Sequence, residues 1–279
     1  MTLPDRAALG TMHGKAAAIA PPLTRLGITL VVPEGLDTDR FGTFTGETPR
    51  AGTMEEAARA KARAAIAVTG LSVGIASEGA YGPHPAIPFI PYGRELILWR
   101  NEMTGQEIVE WLGDNGPTYD HAEADQIGKL EGFLASIDFP RTALIVAPAG
   151  LRDRPVAKGV ADHVALAQAI AAAAAASPKG LAFVQTDMRA HMNPRRMAMI
   201  GQLAARLAAR LAQTCPACHA PGWGLLRVET GLPCTWCDGP TLLVKADVHG
   251  CTRCRHEVVQ PRVNGPSVAD PSQCPACNP

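Results

Sequence analysis

The first 214 residues of this 279-residue chain contain no cysteine. That excludes a thiol nucleophile, a disulfide framework or a cysteine-bound metal from most of the protein. Aromatic residues are scarce, at 5%. No apolar run is long enough to span a bilayer, since the most apolar stretch, Val164 to Ala176, is short and alanine-rich. No basic segment leads into an apolar one at the N-terminus, so a cytoplasmic protein is expected. Charge of one sign is missing too. Lysine plus arginine and aspartate plus glutamate stand at 26 each, which argues against a global polyanion-binding surface but leaves room for a local basic patch. There is no G-x-S-x-G elbow and no GxxxxGK[ST] phosphate loop.

What is present is a chain with 47% apolar and 19% charged residues, a globular composition. Through residues 1–213 short apolar runs alternate with helical patterns. Ile28–Val32, Ser72–Ala76, Ala143–Ala147 and Leu181–Gln185 read as buried strands. Thr53–Val68 reads as a helix with Thr53 as cap and Glu56 three residues on. Asp162–Ala176 is an alanine-rich helix. Asn193-Pro194 opens another that runs to about Gln213. Glu95–Arg100 and Glu107–Leu112 predict a strand pair or a strand followed by a helix. The alternation predicts an α/β fold, with a mixed, mainly parallel sheet flanked by helices.

At Thr214 the composition changes. Residues 214–279 hold four CxxC turns: Cys215–Cys218, Cys234–Cys237, Cys251–Cys254 and Cys274–Cys277. A CxxC turn aims two thiolates at one point, and two turns complete a tetrahedral site. Four turns predict a double zinc-ribbon module with two structural Zn²⁺ ions. Sequential pairing would give tandem ribbons. Nested pairing would join Cys215 and Cys218 to Cys274 and Cys277, and the single strand expected between the inner turns, Thr241–Gly250, favours it slightly. Lys245, Arg253, Arg255, His256 and Arg262, with Trp223 and Trp236 to stack on bases, would allow nucleic-acid contact, but Asp238, Asp247, Glu257 and Asp270 dilute the charge. A staple or protein-contact role is favoured.

Four stretches of the cysteine-free domain concentrate polar residues, glycine and proline. Gly10–Lys15 places His13 and Lys15 at a turn into a helix, where backbone N–H groups and an ammonium suit an anion. Leu36–Arg50 is a glycine-punctuated loop carrying Glu47. Gly74–Pro85 places Glu78 at the end of a buried strand, followed by a rigid turn with His84, the position where ligands and divalent metals gather in open sheets. Gln185–Arg196 places Asp187 after a strand and then Arg189, His191, Arg195 and Arg196 into a helix N-terminus. The positive end of the helix dipole disfavours these arginines unless an anion is near.

Together these stretches resemble a bacterial family described as a domain of unknown function. Its signature runs T-x-H-G-K, DTD-x-FGTFTGE-x-PR, ASEG-x-x-GPHP and TDMRAH-x-NP-x-R, followed by paired CxxC turns, and the chain matches it from Thr11 to Pro279. More distantly, the first 100 residues are similar in layout to the pyrophosphatases that hydrolyse inosine and xanthosine triphosphates. Thr11, His13 and Lys15 stand near the first turn and Glu47 and Thr48 in the loop. Thr53, Met54, Ala58, Lys61 and Ala62 match the helix, and Glu78 the acid after the strand. The departures are Ala57 in place of the helix asparagine, no asparagine in register in the first turn, a loop two residues longer, and no clear strand before Thr11.

The resemblance implies a Mg²⁺-dependent nucleoside triphosphate pyrophosphohydrolase. Lys15, Lys61 and Arg189 would grip phosphates, and Glu78 with Glu47 or Asp187 would hold the metal. His13, His84, His191 and Arg195 complete the expected anion site. The competing expectation is a non-catalytic protein that binds a nucleotide or another phosphate-bearing small molecule and uses the zinc module for nucleic-acid or protein contact. Either is compatible with a homo-oligomer.

Overall fold

The computed structural model describes residues 2–42, 48–50 and 52–278. The chain divides into two units. One comprises Pro4–Met103 and Val109–Leu207, and the other Met1–Leu3, Thr104–Ile108 and Ala208–Pro279. No helix among the described residues is long and apolar enough to cross a membrane.

The α/β unit begins with strand β1 (Arg6–Leu9), helix α1 (Ala16–Thr24), strand β2 (Thr29–Val31) and helix α2 (Met54–Thr69). Thr53 and Glu56 form the expected reciprocal cap of α2, and Gly70 closes it in the left-handed region. Strands β3 (Val73–Pro83), β4 (Pro91–Asn101) and β5 (Glu107–Asp114) complete a sheet ordered β2-β1-β3-β4-β5. A strand therefore does precede Thr11. Its sequence, Arg-Ala-Ala-Leu, is short and alanine-rich, a weak strand signal, yet Ala7, Ala8 and Leu9 are fully buried.

A second sheet contains β6 (His121–Ala124), β7 (Leu144–Pro148), β8 (Ala157–Val160) and β9 (Ala182–Thr186), ordered β6-β9-β7-β8. Helix α3 (Glu131–Ser136) precedes β7, α4 (His163–Ala176) lies between β8 and β9, and α5 (Pro194–Leu211) follows β9. Leu166, Ile170 and Ala173 of α4 pack on Leu144, Val146 and Val184.

The first sheet is mixed and the second antiparallel, so the fold is not mainly parallel. β1 is parallel to β2 and to β3. β3–β4, β6–β9, β7–β8 and β7–β9 are antiparallel. The reason is β8, a four-residue strand, Ala-Lys-Gly-Val, with no periodic signal. The chain turns at Gly150, which sits at φ +91°, and returns as β8 beside β7. Helix α4 then crosses back and delivers β9 antiparallel to β7 on its other side. Without β8, the strand–helix–strand pattern reads as a parallel pair.

β3 also runs further than its sequence suggests. It pairs with β4 from Val73↔Asn101 to Pro83↔Pro91, so Glu78 lies mid-strand rather than at a strand end. Its other neighbour, β1, stops early. The β1 register ends at Leu9↔Ile75, with the Gly10 N–H donating to the Ile75 carbonyl at 2.8 Å. Among the described residues, β3 has no strand on that side from Ser77 onward.

In the other unit β10 (Gly224–Thr230), β11 (Val244–Gly250) and β12 (Glu257–Pro261) form an antiparallel meander.

The packing of α2 on β3 rests on Gly74, where a Cβ would stand 2.5 Å from the Ala62 carbonyl oxygen and 2.9 Å from the Ile66 side chain. Gly74→Ala is therefore expected to lower unfolding stability by about 1–3 kcal/mol. Urea denaturation checks this, and an unchanged midpoint would show that α2 lifts without cost.

Candidate functional site

Backbone carbonyls in a buried strand need partners. Along the side of β3 that β1 vacates, Ile75 O takes the Gly10 N–H. Two residues on, Ser77 O takes the Lys15 ammonium at 3.0 Å, and Ser77 Oγ takes it at 3.1 Å. Two residues further, Gly79 O takes Arg50 Nη2 at 2.7 Å. Cations thus continue the ladder where β1 ends. Successive side chains of a strand point to opposite faces, and only at a free edge can both faces open on one space. There a cleft of about 350 Å³ is lined by His13, Lys15, Asp39, Gly42, Arg50, Lys61, Glu78, Gly79, Ala80, Tyr81, Lys158, Arg189 and Arg196.

On the α2 side, Glu78 is 4% exposed. Its Oε1 pairs with Lys61 Nζ, and its Oε2 lies 3.3 Å from Arg50 Nη2. On the opposite face, Gly79 stands across from Glu95. A Cβ at Gly79 would lie 2.3 Å from Glu95 Oε1, so the missing side chain gives the carboxylate its room. Glu95 is fully buried, accepts Arg196 Nε at 2.5 Å, and accepts the Tyr81 hydroxyl at 2.7 Å. Arg196 also donates to the Met188 carbonyl. Burial and the adjacent Glu95 push the Tyr81 phenol far above its ordinary pKa, so it stays protonated.

The second sheet contributes Lys158 from β8 and Arg189 from the segment after β9. Arg189 is clamped by the fully buried Asp187, with Nε–Oδ1 at 3.0 Å and Nη2–Oδ2 at 2.5 Å. His13 Nε2 lies 3.2 Å from Asp39 Oδ1, and its ring stacks on His191 at 5.2 Å. Burial lowers the pKa of His13, helped by Lys15 and His191 and opposed by Asp39. Burial likewise lowers that of His191, with Arg189 adding to it. Lys15, 7% exposed, is pushed down to about 8, first by burial and then by Arg196, with Lys61 adding and Glu78 and Glu95 opposing.

The cleft thus brings together five of the sequence-predicted residues: His13, Lys15, Lys61, Glu78 and Arg189. His191 joins through its stack on His13. Asp187 does not line the cleft; its carboxylate is consumed by Arg189. Glu47 lies outside the described residues. His84 closes the β3–β4 hairpin, its Nδ1 accepting the Ala86 and Ile87 N–H groups at 3.1 Å each. Arg195 binds Asp114, Nη2–Oδ1 2.6 Å and Nε–Oδ2 2.9 Å, and lines a separate groove. Burial raises the pKa of Asp114, but Arg195 and the Gly116 N–H outweigh it and hold the carboxyl below its usual range. The anion expected beside the α5 N-terminus is therefore internal: Asp114 for Arg195 and Glu95 for Arg196. Sequence reading did not place Glu95, Asp39, Tyr81 or Lys158 in the site.

Of the carboxylates in and behind the cleft, Asp39 faces His13, and the three buried ones offer little to a divalent metal. Glu78 is engaged by Lys61 and Arg50, Glu95 by Arg196 and Tyr81, and Asp187 by Arg189. Among the described residues, the only groups of three or more potential ligands close enough for one ion are two sets of four cysteines.

Those sets are Cys215, Cys218, Cys251 and Cys254, and Cys234, Cys237, Cys274 and Cys277. The pairing is interleaved, neither sequential nor nested. Strand register explains it. Gly224 pairs with Gly250, so the turn before β10 meets the turn after β11. The seven residues of β11 carry Cys251 roughly 20 Å from Cys237, which excludes the inner pair. The chain after β12 returns to the other end, where Cys234 bridges Ala269.

All four turns repeat one geometry. The residue after the second cysteine donates its N–H to the carbonyl of the first: His219 to Cys215, Asp238 to Cys234, Arg255 to Cys251 and Asn278 to Cys274, at 2.8–3.0 Å. His219, Asp238 and Arg255 take positive φ, an unfavourable conformation for such residues. Across each site, sulfur–sulfur distances are 3.7–3.9 Å. A tetrahedron with metal–sulfur bonds of about 2.3 Å has edges of about 3.8 Å. Both sets fit a four-coordinate metal ion.

Residues 61–279 match a family described as a domain of unknown function (DUF6671), and the chain belongs to that family. No curated protein and no solved structure matches the chain.

Interleaved pairing makes a specific prediction for metal content, read by native mass spectrometry. Cys218→Ser with Cys254→Ser strikes one site and should leave one ion per chain. Cys218→Ser with Cys237→Ser strikes both and should leave none. No ion in the first variant and one in the second would restore sequential pairing, and no ion in either would restore nested pairing.

Proposed function

We propose that the α/β unit binds a phosphate-bearing small molecule, a nucleotide or other phosphate ester, in the cleft at the free edge of β3. The observation that carries this reading is the burial of Lys15 beside Arg196 and Lys61, within a cleft lined by six cationic side chains and two carboxylates. Glu95 and Asp187, behind Arg196 and Arg189, bring the local balance to about two positive charges, which one phosphate dianion would neutralise. An ammonium has three donors. Among the described residues Lys15 hydrogen-bonds only Ser77, through two of them, and a ligand oxygen would take the third. The guanidinium groups of Arg50 and Arg189 add the donors that phosphate oxygens favour.

A Mg²⁺-dependent pyrophosphohydrolase draws less support, because Glu78, Glu95 and Asp187 are already engaged by cations and Asp39 faces His13. No step through that metal is derived.

We further propose that the ion in each four-cysteine site is zinc. Tetrahedral thiolate sites suit it, and a site closed by four protein ligands has no position left for a substrate. The ions then act as staples for a small unit with little core.

Isothermal titration with inorganic phosphate and pyrophosphate tests the cleft. Binding is expected at low salt, weakening as ionic strength rises. It should weaken again as pH climbs through about 8, where Lys15 loses its charge. Absence of binding by any phosphate compound at neutral pH would overturn the reading.

Lys15 also makes a stability prediction. Its pKa falls from 10.5 when unfolded to about 8 when folded, so folding at neutral pH works against a burial cost of roughly 3 kcal/mol. Lys15→Met should raise stability at pH 7 by about 2 kcal/mol, allowing about 1 for the lost bond to Ser77 O. The unfolded chain holds the extra proton between pH 8 and 10.5, so wild-type stability rises across that window and the advantage of the variant shrinks. Urea denaturation at pH 7 and pH 10 measures both. A variant that is destabilised at both pH values contradicts the assignment.

A further inference from the structure

We infer that Lys15 is a covalent amine nucleophile, and that the cleft takes an aldehyde or ketone carrying a phosphate group and condenses it with Lys15 as an imine. This rests on the phosphate-site reading and adds the reacting functional group.

The geometry distinguishes Lys15 from the neighbouring lysine. Lys61 is ion-paired with Glu78 Oε1, which holds it as an ammonium. Among the described residues Lys15 has no carboxylate on its nitrogen, and its hydrogen-bond partners are the two neutral oxygens of Ser77, at 3.0 and 3.1 Å. A neutral amine has two N–H donors and one lone pair. The two Ser77 acceptors match the two donors and leave the lone pair for the cleft that Lys15 lines. The charged groups around it are Arg196 and Lys61, which oppose a third positive charge, and Glu78 and Glu95, which favour one. Each of these carboxylates is paired with a different cation, Glu78 with Lys61 and Arg50 and Glu95 with Arg196. Desolvation beside other cations is the general means of making a lysine nucleophilic at neutral pH.

A proton acceptor stands in the same cleft. His13, two residues away, faces Asp39 Oδ1 through Nε2. If Nε2 carries the proton toward Asp39, Nδ1 is left as a base. The Lys15 ammonium gives one proton to His13. The lone pair then forms the C–N bond to the carbonyl carbon while the C=O π pair moves to oxygen. That oxygen receives the proton from His13 and a second from the Lys15 nitrogen, and leaves as water. The product is the protonated imine, so both hydrogens of the water derive from the ammonium and no oxidant or further reactant is needed. Arg50, Arg189 and Arg196 remain to hold the phosphate.

The test uses the full chain and pyridoxal 5′-phosphate, a phosphorylated aldehyde, with cyanoborohydride reduction and peptide mass mapping. Reduced adduct should concentrate at Lys15 rather than at the exposed Lys129 and Lys179. Inorganic phosphate should protect Lys15. Pyridoxal, the same aldehyde without phosphate, should label Lys15 about ten-fold less at equal concentration. Adduct confined to exposed lysines, or labelling of Lys15 that neither phosphate nor loss of the phosphate group reduces, overturns the inference. The two readings fail separately. If phosphate binds by calorimetry and Lys15 takes no label, only the covalent step falls, whereas if phosphate does not bind, the site itself falls.

Discussion

The site depends on one early ending. β1 stops at Leu9 while β3 continues to Pro83, so a buried strand edge is left with carbonyls that no neighbouring strand among the described residues satisfies. Carbonyls two residues apart point the same way, and this chain meets them in turn with a backbone N–H, an ammonium and a guanidinium. That requirement fixes Lys15 and Arg50 in place before any ligand is considered. It also lets side chains from both faces of β3 border one space, so that Lys61 and Glu78 from the helix-covered face meet Tyr81 and Arg196 from the other. The arginine, in turn, reaches the sheet only because Gly79 has no side chain opposite Glu95.

Much of this was legible locally. The α2 cap was readable because Thr53 and Glu56 interact across three residues, and Asn193-Pro194 because capping is a contact within one turn: Asn193 Oδ1 accepts the Arg196 N–H at 3.0 Å. The Cys₄ chemistry was readable because CxxC is itself a local geometry. What failed was long-range. The partner of Arg196 lies 101 positions away, and no pattern near Glu95, which sits in an apolar strand, marks it as a ligand for a guanidinium. The arginines at the α5 N-terminus signalled a nearby anion correctly in kind, but the anions are protein carboxylates.

The cysteine pairing shows the same division. Spacing specifies that two turns make a site, but which two is a question of where strands start and stop. A strand between the second and third turns was foreseen, and it excludes the nested arrangement that it was taken to favour, because an extended strand separates its ends. The meander then places first with third and second with fourth. Sheet direction was misread for a related reason. β8 is four residues with a glycine inside, too short for a period, yet it reverses the chain once and with it the sense of the β7–β9 pair.

Edge capping accounts for a donor at Ser77 O, but not for a cation there. A side-chain amide would satisfy the same carbonyl without placing positive charge beside Arg196 and Lys61 in a region where Lys15 is 7% exposed. The depression of its pKa to about 8 means that folding carries an unfavourable term of roughly 3 kcal/mol, a large share of a typical stability of 5–15 kcal/mol. Glu78 does not remove it, because its oxygens are directed at Lys61 and Arg50. Glu95 does not either, being committed to Arg196 and Tyr81. These carboxylates are thus committed to other cations, and the charge of Lys15 is offset only when something negative enters the cleft or the amine gives up its proton. The first outcome is the anion binding proposed for the cleft and the second is the nucleophile proposed for Lys15, and both proposals draw on the same buried geometry.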